Sequence, residues 1–182
     1  MMDIRLKRLQ KKDLDMVAEW RMSEDVTRYM NTDPVLTHEG QLRWFDALRE
    51  DDTQIWWVIY MDEKPVGVLN IVNIDRANRK CEWGYYVAVK EARSMKLAVL
   101  LEWNLYDYAF YTLGVNRLYN EVLSKNENVV RLHKMCGSDI EGELKESVYK
   151  RGEYYDVTMC AILKEKWDKM RQTVEYDTIA FE

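Results

Sequence analysis

Between residues 53 and 89 the chain carries three β-rich runs joined by short turn signals, and the third passes through a charged hinge into a strongly apolar helix. The runs "TQIWWVIYM" (53–61), "VGVLNIVNI" (66–74) and "CEWGYYVAV" (81–89) are rich in β-branched and aromatic residues. "DEKP" and "RANRK" between them leave room only for turns, so the stretch reads as an antiparallel meander. The helix that follows, from about Leu97 to Leu113, is closed by Gly114, a residue suited to the position just past a helix.

The other elements flank this block. "DIRLKRL" (3–9) reads as a first strand, and "KKDLDMVAEWRM" as a helix with Leu14, Val17 and Ala18 at helical spacing. Ser23 is placed to cap a second short helix, and Thr37 to cap "HEGQLRWFDALRED" with its stripe of Leu42, Phe45 and Leu48. After Gly114 come a strand (116–123), a helix (127–136) ending near Gly137, and a hairpin of "DIEGELKESVYK" and "YYDVTMCAIL" around Arg151-Gly152. This order predicts an α/β chain with a mixed central sheet and flanking helices. No repeat or linker divides it. Residues 1–165 form one domain, and 166–182 read as a charged tail, partly helical.

The 182 residues are enough for one domain with a real core. A formal charge of −5 argues against a nucleic-acid-binding surface. No apolar run reaches spanning length and the start lacks an apolar signal core, so no membrane segment is expected and the protein reads as cytoplasmic. Cys81, Cys136 and Cys160 lie far apart with no CxxC or nearby His pair, which reads as reduced thiols and no metal site. Seven Trp and twelve Tyr are many, and some should line a cleft.

The hinge Arg93-Ser94-Met95-Lys96-Leu97-Ala98 has two readings. A helix start leaves unpaired N–H groups and a partial positive charge, which suits a pyrophosphate, and Arg93 and Lys96 add two cations. Glycine, which lets a backbone approach a phosphate closely, is missing. The same residues also read simply as the start of a core helix.

The whole chain resembles the GCN5-related N-acetyltransferase (GNAT) superfamily. The hinge is similar to its R/Q-x-x-G-x-G/A loop, with Arg93 and Ala98 kept and Lys96 at the middle glycine. "SKNENVVRLHKMCGS" (124–138) resembles N-x-x-[S/A]-x-x-L-Y-E-K-x-G-F, with His133 at the tyrosine position and Ser138 at the phenylalanine position. "EWRMSEDVTRYM" (19–30) and "EGELKE…GEYYDV" resemble the branch that holds the amino-sugar and ribosomal-protein acetyltransferases, closest to the amino-sugar enzyme of pseudaminic acid biosynthesis. The resemblance covers residues 3 to about 165. It implies a GNAT fold, acetyl-CoA as co-substrate, and direct transfer to a primary amine. The acceptor it implies is a small molecule, the 4-amino group of a UDP-linked 4-amino-4,6-dideoxy sugar.

Acetyl transfer needs a held thioester, a polarised carbonyl, a neutral amine and a proton for the leaving thiolate. The resemblance gives the first to the N–H groups of Met95, Lys96, Leu97 and Ala98 with Arg93 and Ser94, and to Asn126 on the pantetheine arm. It gives the second to strand backbone around Val87 and Val89. Glu82 sits inside an apolar strand, on one face with Gly84 and Tyr86, and reads either as the base or as an ion-pair partner of Arg79 or Lys80. His133 reads as the acid or as a histidine near a helix C-terminus, with Tyr149 or Tyr119 as alternative acids. Trp20 and Arg21 fall where the branch recognises its acceptor, and Tyr85, Tyr149 and Tyr154 read as stacking partners or as ordinary packing.

Three other readings stay open: a protein N-terminal acetyltransferase, a polyamine acetyltransferase, and a non-catalytic GNAT-like domain that binds CoA or a partner. The hairpin edge and the tail bearing Trp167 offer apolar surface for a homodimer.

Overall fold

Strand β2 (Ile55–Met61) is buried on both faces, which puts it in the middle of the fold. The computed structural model describes residues 3–182. Ile55, Trp57 and Ile59 join the larger core with helices α4 (Met95–Asp107) and α6 (Lys164–Arg171), while Val58 faces a smaller core under α1 (Leu14–Met22) and α3 (His38–Glu50). Helices therefore cover both faces of one sheet.

The remaining strands are β1 (Ile4–Arg8), β3 (Lys64–Asp75), β4 (Lys80–Val87), β5 (Arg117–Leu123), β6 (Asp139–Lys150), β7 (Glu153–Leu163) and β8 (Ala180–Phe181). Together with β2 they form an eight-stranded sheet in the order β6-β7-β5-β4-β3-β2-β1-β8. The pairs β4–β5 and β1–β8 are parallel and the rest antiparallel, the mixed sheet expected. Two more helices complete the chain, α2 (Glu24–Thr27) and α5 (Glu127–Met135).

The sheet has one break, between β4 and β5. Strands β4 and β5 pair only at Lys80–Arg117, Cys81–Leu118 and Glu82–Tyr119. Beyond that, β4 stays with β3 as far as Val87–Gly67, and β5 stays with β7 as far as Leu123–Val157. The sheet thus opens into a V whose inner β4 edge, Trp83 to Val87, has no strand partner among the described residues. Gly67 permits the β3–β4 contact at the tip, because a Cβ there would lie 2.1 Å from the Tyr86 carbonyl oxygen. The N–H groups of Ala88 and Val89 both reach the Val66 carbonyl, at 2.8 and 3.2 Å, which ends β4 in a bulge.

Local expectations differ from the structure in a few places. Helix α4 stops at Asp107 and passes into a π turn, Tyr108–Thr112, which sets Tyr108 against Trp57 and Phe181; Gly114 follows with φ 71°. Ser23 stands at the start of α2, but its hydroxyl donates back to the Trp20 carbonyl (2.7 Å) and caps nothing. Thr37 does cap α3, accepting from Gly40 N–H at 3.1 Å. Arg151 and Gly152 both take positive φ, 55° and 81°, as a two-residue hairpin turn of the primed type requires.

The charged tail is partly helical, and its apolar residues turn inward. Trp167 on α6 is fully buried, packs on Tyr106 with centroids 5.2 Å apart and donates to Asp107 (2.9 Å). It therefore offers no surface to a second copy, because the α4 side of the sheet has already taken its ring out of water. Strand β8 pairs with β1 at Arg5–Ala180 and Leu6–Phe181. The β6 edge does remain open, with Ile140 and Leu144 exposed. Among the described residues no helix is long and apolar enough to cross a membrane.

Candidate active site

The V between β4 and β5 opens into a cleft of about 800 Å³. The hinge and α5 form one side, and α1, α2 and the loop after them form the other. Helix α4 begins at Met95, and Ser94 caps it by accepting from Leu97 N–H at 3.1 Å. The N–H groups of Met95 and Lys96 then have no intrahelical acceptor. No residue from 88 to 98 takes positive φ, so the backbone here makes no conformational demand for glycine. Arg93 donates to the Val87 and Ala88 carbonyls (2.8 and 3.1 Å), tying the hinge to the tip of β4.

Val87, Arg93, Ser94, Ala98 and Asn126 line the cleft. Met95 and Lys96 are exposed beside it, Lys96 without an ion pair among the described residues. Leu97 is buried in the core and Val89 packs against it, so both contribute backbone at most. Asn126 is the residue before α5, and its side chain makes no capping bond.

A chain of buried polar groups fills the wedge of the V. Glu102 on α4 and His133 on α5 are 0% and 2% exposed, and His133 Nδ1 lies 2.9 Å from Glu102 Oε1. Glu102 also accepts from Tyr106 Oη at 3.0 Å and from Tyr85 Oη at 3.4 Å. His133 Nε2 is 2.7 Å from Asn120 Nδ2, so both ring nitrogens are engaged. Burial, and next the charge on Glu102, pushes the Tyr85 hydroxyl well above its usual range. Tyr85, Asn120 and His133 all border the cleft.

At the other end, Arg21 reaches in from α1. Its Nη2 donates to the Thr32 carbonyl (3.2 Å) and hydroxyl (2.8 Å), while Nη1 is buried with no partner. No carboxylate pairs with it among the described residues, and burial pulls its pKa down. Tyr86 and an edge-to-face Trp44–Trp56 pair, centroids 5.2 Å apart, supply apolar walls. Trp20 packs against the smaller core.

Glu82 lies outside the cleft lining, half-buried, accepting from Asn73 Nδ2 at 2.7 Å. Desolvation raises its pKa, the Asn73 bond opposes this, and the charge of Glu121 adds to the rise. Glu121, two residues past the last β4–β5 pair, is the carboxylate that borders the cleft on this strand. Tyr149 and Tyr154 pair with each other on the hairpin surface, 65% and 62% exposed, away from the cleft; Tyr119 also lies outside its lining. The hairpin tip is instead latched to the α2 region. Lys150 donates to the Thr27 and Met30 carbonyls, and Arg151 grips Glu24 (2.8 Å) and Asp33 (2.6 Å).

Glu102, Asn120, Glu121, Trp44 and Trp56 are the residues that sequence reasoning passed over. Two had a visible signal. Glu102 is the lone acid inside the apolar run "LAVLLEWNL", and Asn120 occupies an inward position of β5 between Leu118 and Val122.

The split parallel pair leaves a strand edge without a strand partner near a helix start whose first N–H groups lack intrahelical acceptors. The Acetyltransferase (GNAT) domain family matches residues 3–139, and the chain belongs to that family. It is an acetyl-CoA-dependent N-acetyltransferase. It is 27% identical over 138 residues to the acetyltransferase PseH of Campylobacter jejuni, covering 76% of this chain and 84% of that one. It is 24% identical over 164 residues to spermidine N(1)-acetyltransferase of Escherichia coli, covering 86% and 84%. The structure of spermidine N-acetyltransferase from Vibrio cholerae in complex with CoA and spermine has the same fold, with TM-score 0.85 and 22% identity over 91% of this chain and 98% of that one. Among the described residues no group of three or more His, Cys, Asp or Glu side chains is placed to hold a metal ion.

Proposed function

We propose that the acceptor is a primary amine on a molecule that also carries an anionic group, most simply the 4-amino group of a UDP-linked 4-amino-4,6-dideoxy sugar, and that the enzyme acts in the cytoplasm. The observation that carries this reading is Arg21, which borders the cleft with Nη1 unpartnered and no carboxylate paired with it among the described residues. A half-buried cation in that state favours a phosphate or carboxylate, which a guanidinium fork can bind with two hydrogen bonds. The aromatic walls suit a base or sugar face. A polyamine would need carboxylates there. Of the two acids that border the cleft, Asp25 is already paired with Lys90 at 2.7 Å, which leaves Glu121.

In this reading the arm of acetyl-CoA lies between β4 and β5, and the free N–H groups of β4 near Val87 polarise the thioester carbonyl. Glu121 takes the proton from the amine, directly or through water, in place of Glu82. The amine attacks the thioester carbon, the C–S bond breaks, and the departing thiolate takes a proton from Tyr85, which borders the cleft and would turn its hydroxyl there from Glu102. His133 would need its Asn120 contact to open before it could supply that proton.

Steady-state rates with a UDP-linked 4-amino sugar and with spermidine test the reading. The sugar should be preferred, and Arg21→Ala should raise its KM by about 10- to 100-fold, as expected for a lost charged hydrogen bond. A preference for spermidine that Arg21→Ala leaves intact would sink it.

A further inference from the structure

Asn120 ends the buried polar chain, and one of its two polar atoms has nothing to bind. It is the first β5 residue past the last β4–β5 pair, it is 5% exposed, and it borders the cleft. Its Nδ2 meets His133 Nε2, while Oδ1 is buried without a hydrogen-bond partner among the described residues. Native proteins leave few such atoms, and a carbonyl held at the wall of a ligand cleft is one that a ligand can satisfy.

The orientation of that amide is dictated from behind. An ionised carboxylate only accepts, so the contact with Glu102 Oε1 at 2.9 Å sets a proton of His133 on Nδ1. In the Nδ1–H tautomer Nε2 carries a lone pair, which needs a donor. Asn120 can supply one only by turning Nδ2 toward the ring, and this turns Oδ1 away from it. Tyr106, donating to Glu102 at 3.0 Å, anchors the start of the chain.

We infer that Asn120 binds the pantetheine arm of acetyl-CoA, its Oδ1 accepting a hydrogen bond from an arm amide N–H, and that Glu102 and His133 are positioning residues that fix which end of the Asn120 amide faces the cleft. The arm carries two secondary amides, and the β4 edge from Trp83 to Val87 is free to pair with an extended chain. Asn120 stands on the opposing strand, where it meets such a chain from the other side. An N–H of the acceptor amine has the same chemistry, so the experiment separates the two sources.

Calorimetric titrations compare acetyl-CoA with adenosine 3′-phosphate 5′-diphosphate, the same nucleotide without the arm. Asn120→Ala should raise the Kd of acetyl-CoA about tenfold and leave that of the nucleotide unchanged. Asn120→Leu, which keeps the volume, is read in the same way should the alanine variant fail to fold. Ring ¹⁵N spectra of the native protein should show His133 as the Nδ1–H tautomer. In Glu102→Gln that tautomer should become mixed, with acetyl-CoA binding weakened several-fold and nucleotide binding unaffected. Equal losses for both ligands, or no loss for either, would overturn the assignment. So would a rise in acceptor KM with acetyl-CoA affinity intact, or an Nε2–H tautomer in the native protein.

Discussion

Gly67→Ala tests whether the tip of β4 is held where the cleft needs it. The added Cβ would sit 2.1 Å from the Tyr86 carbonyl oxygen and 2.9 Å from Val87 Cα, both backbone atoms that no rotamer can move. Ordinary contact lies near 3.5 Å, so the strands must part by about 1 Å at this point. That separation strains the bonds from Ala88 and Val89 N–H to the Val66 carbonyl, each worth about 1 kcal/mol net. Adding an overpacking cost of about 1–3 kcal/mol gives a loss of about 3–5 kcal/mol. For a chain of this size the thermal midpoint should fall by about 6–20 °C. Because Tyr86 and Val87 border the cleft, acetyl-CoA binding should weaken as well. Gly142→Ala is the control, since a Cβ there meets nothing within 4 Å and the residue does not take positive φ. Differential scanning fluorimetry and an acetyl-CoA titration read both effects. A Gly67→Ala protein as stable as the control would refute the close-approach reasoning.

Trp167→Ala should cost about 3–5 kcal/mol, read as a lower urea midpoint, because the ring is fully buried; a change within error would mean the tail packs only loosely. Burial pushes the Cys81 thiol up to about 12 and that of Cys160 to about 11, and moves Cys136 in the same direction, so all three should resist a thiol reagent at pH 8 until denaturant is added. Rapid labelling of the native protein would contradict this. Hydrogen bonds from Arg151 hold the Glu24 and Asp33 carboxyls below the usual carboxylate range. Depressed values mean that the latch is intact above the unfolded carboxyl range near 4 and is lost as pH falls through the lower folded values. Amide exchange at the hairpin tip, corrected for its intrinsic pH dependence, should therefore quicken below about pH 4, and a flat profile from pH 6 to 3 would count against the latch.

The meander, the hinge, Gly114 and the Arg151-Gly152 turn were legible in the sequence because each depends on residues close together in the chain. Period two, helical spacing and positive-φ residues are local properties, and with the motif resemblance they were enough to reach the family. Which polar groups meet was not legible. Glu102, His133 and Asn120 come from α4, α5 and β5, and they touch only because β4 and β5 part after Glu82–Tyr119. Glu82 lies in the same strand as the cleft-lining Gly84 and Tyr86, yet the split begins just beyond it, so Glu121 borders the cleft and Glu82 does not. Trp167 read as surface in a charged segment, and long-range packing put it in the core. The chain's own pattern therefore determined the elements and their order. Tertiary structure decided where the sheet opens and which side chains face the opening, because those depend on strand register and on contacts between residues distant in sequence.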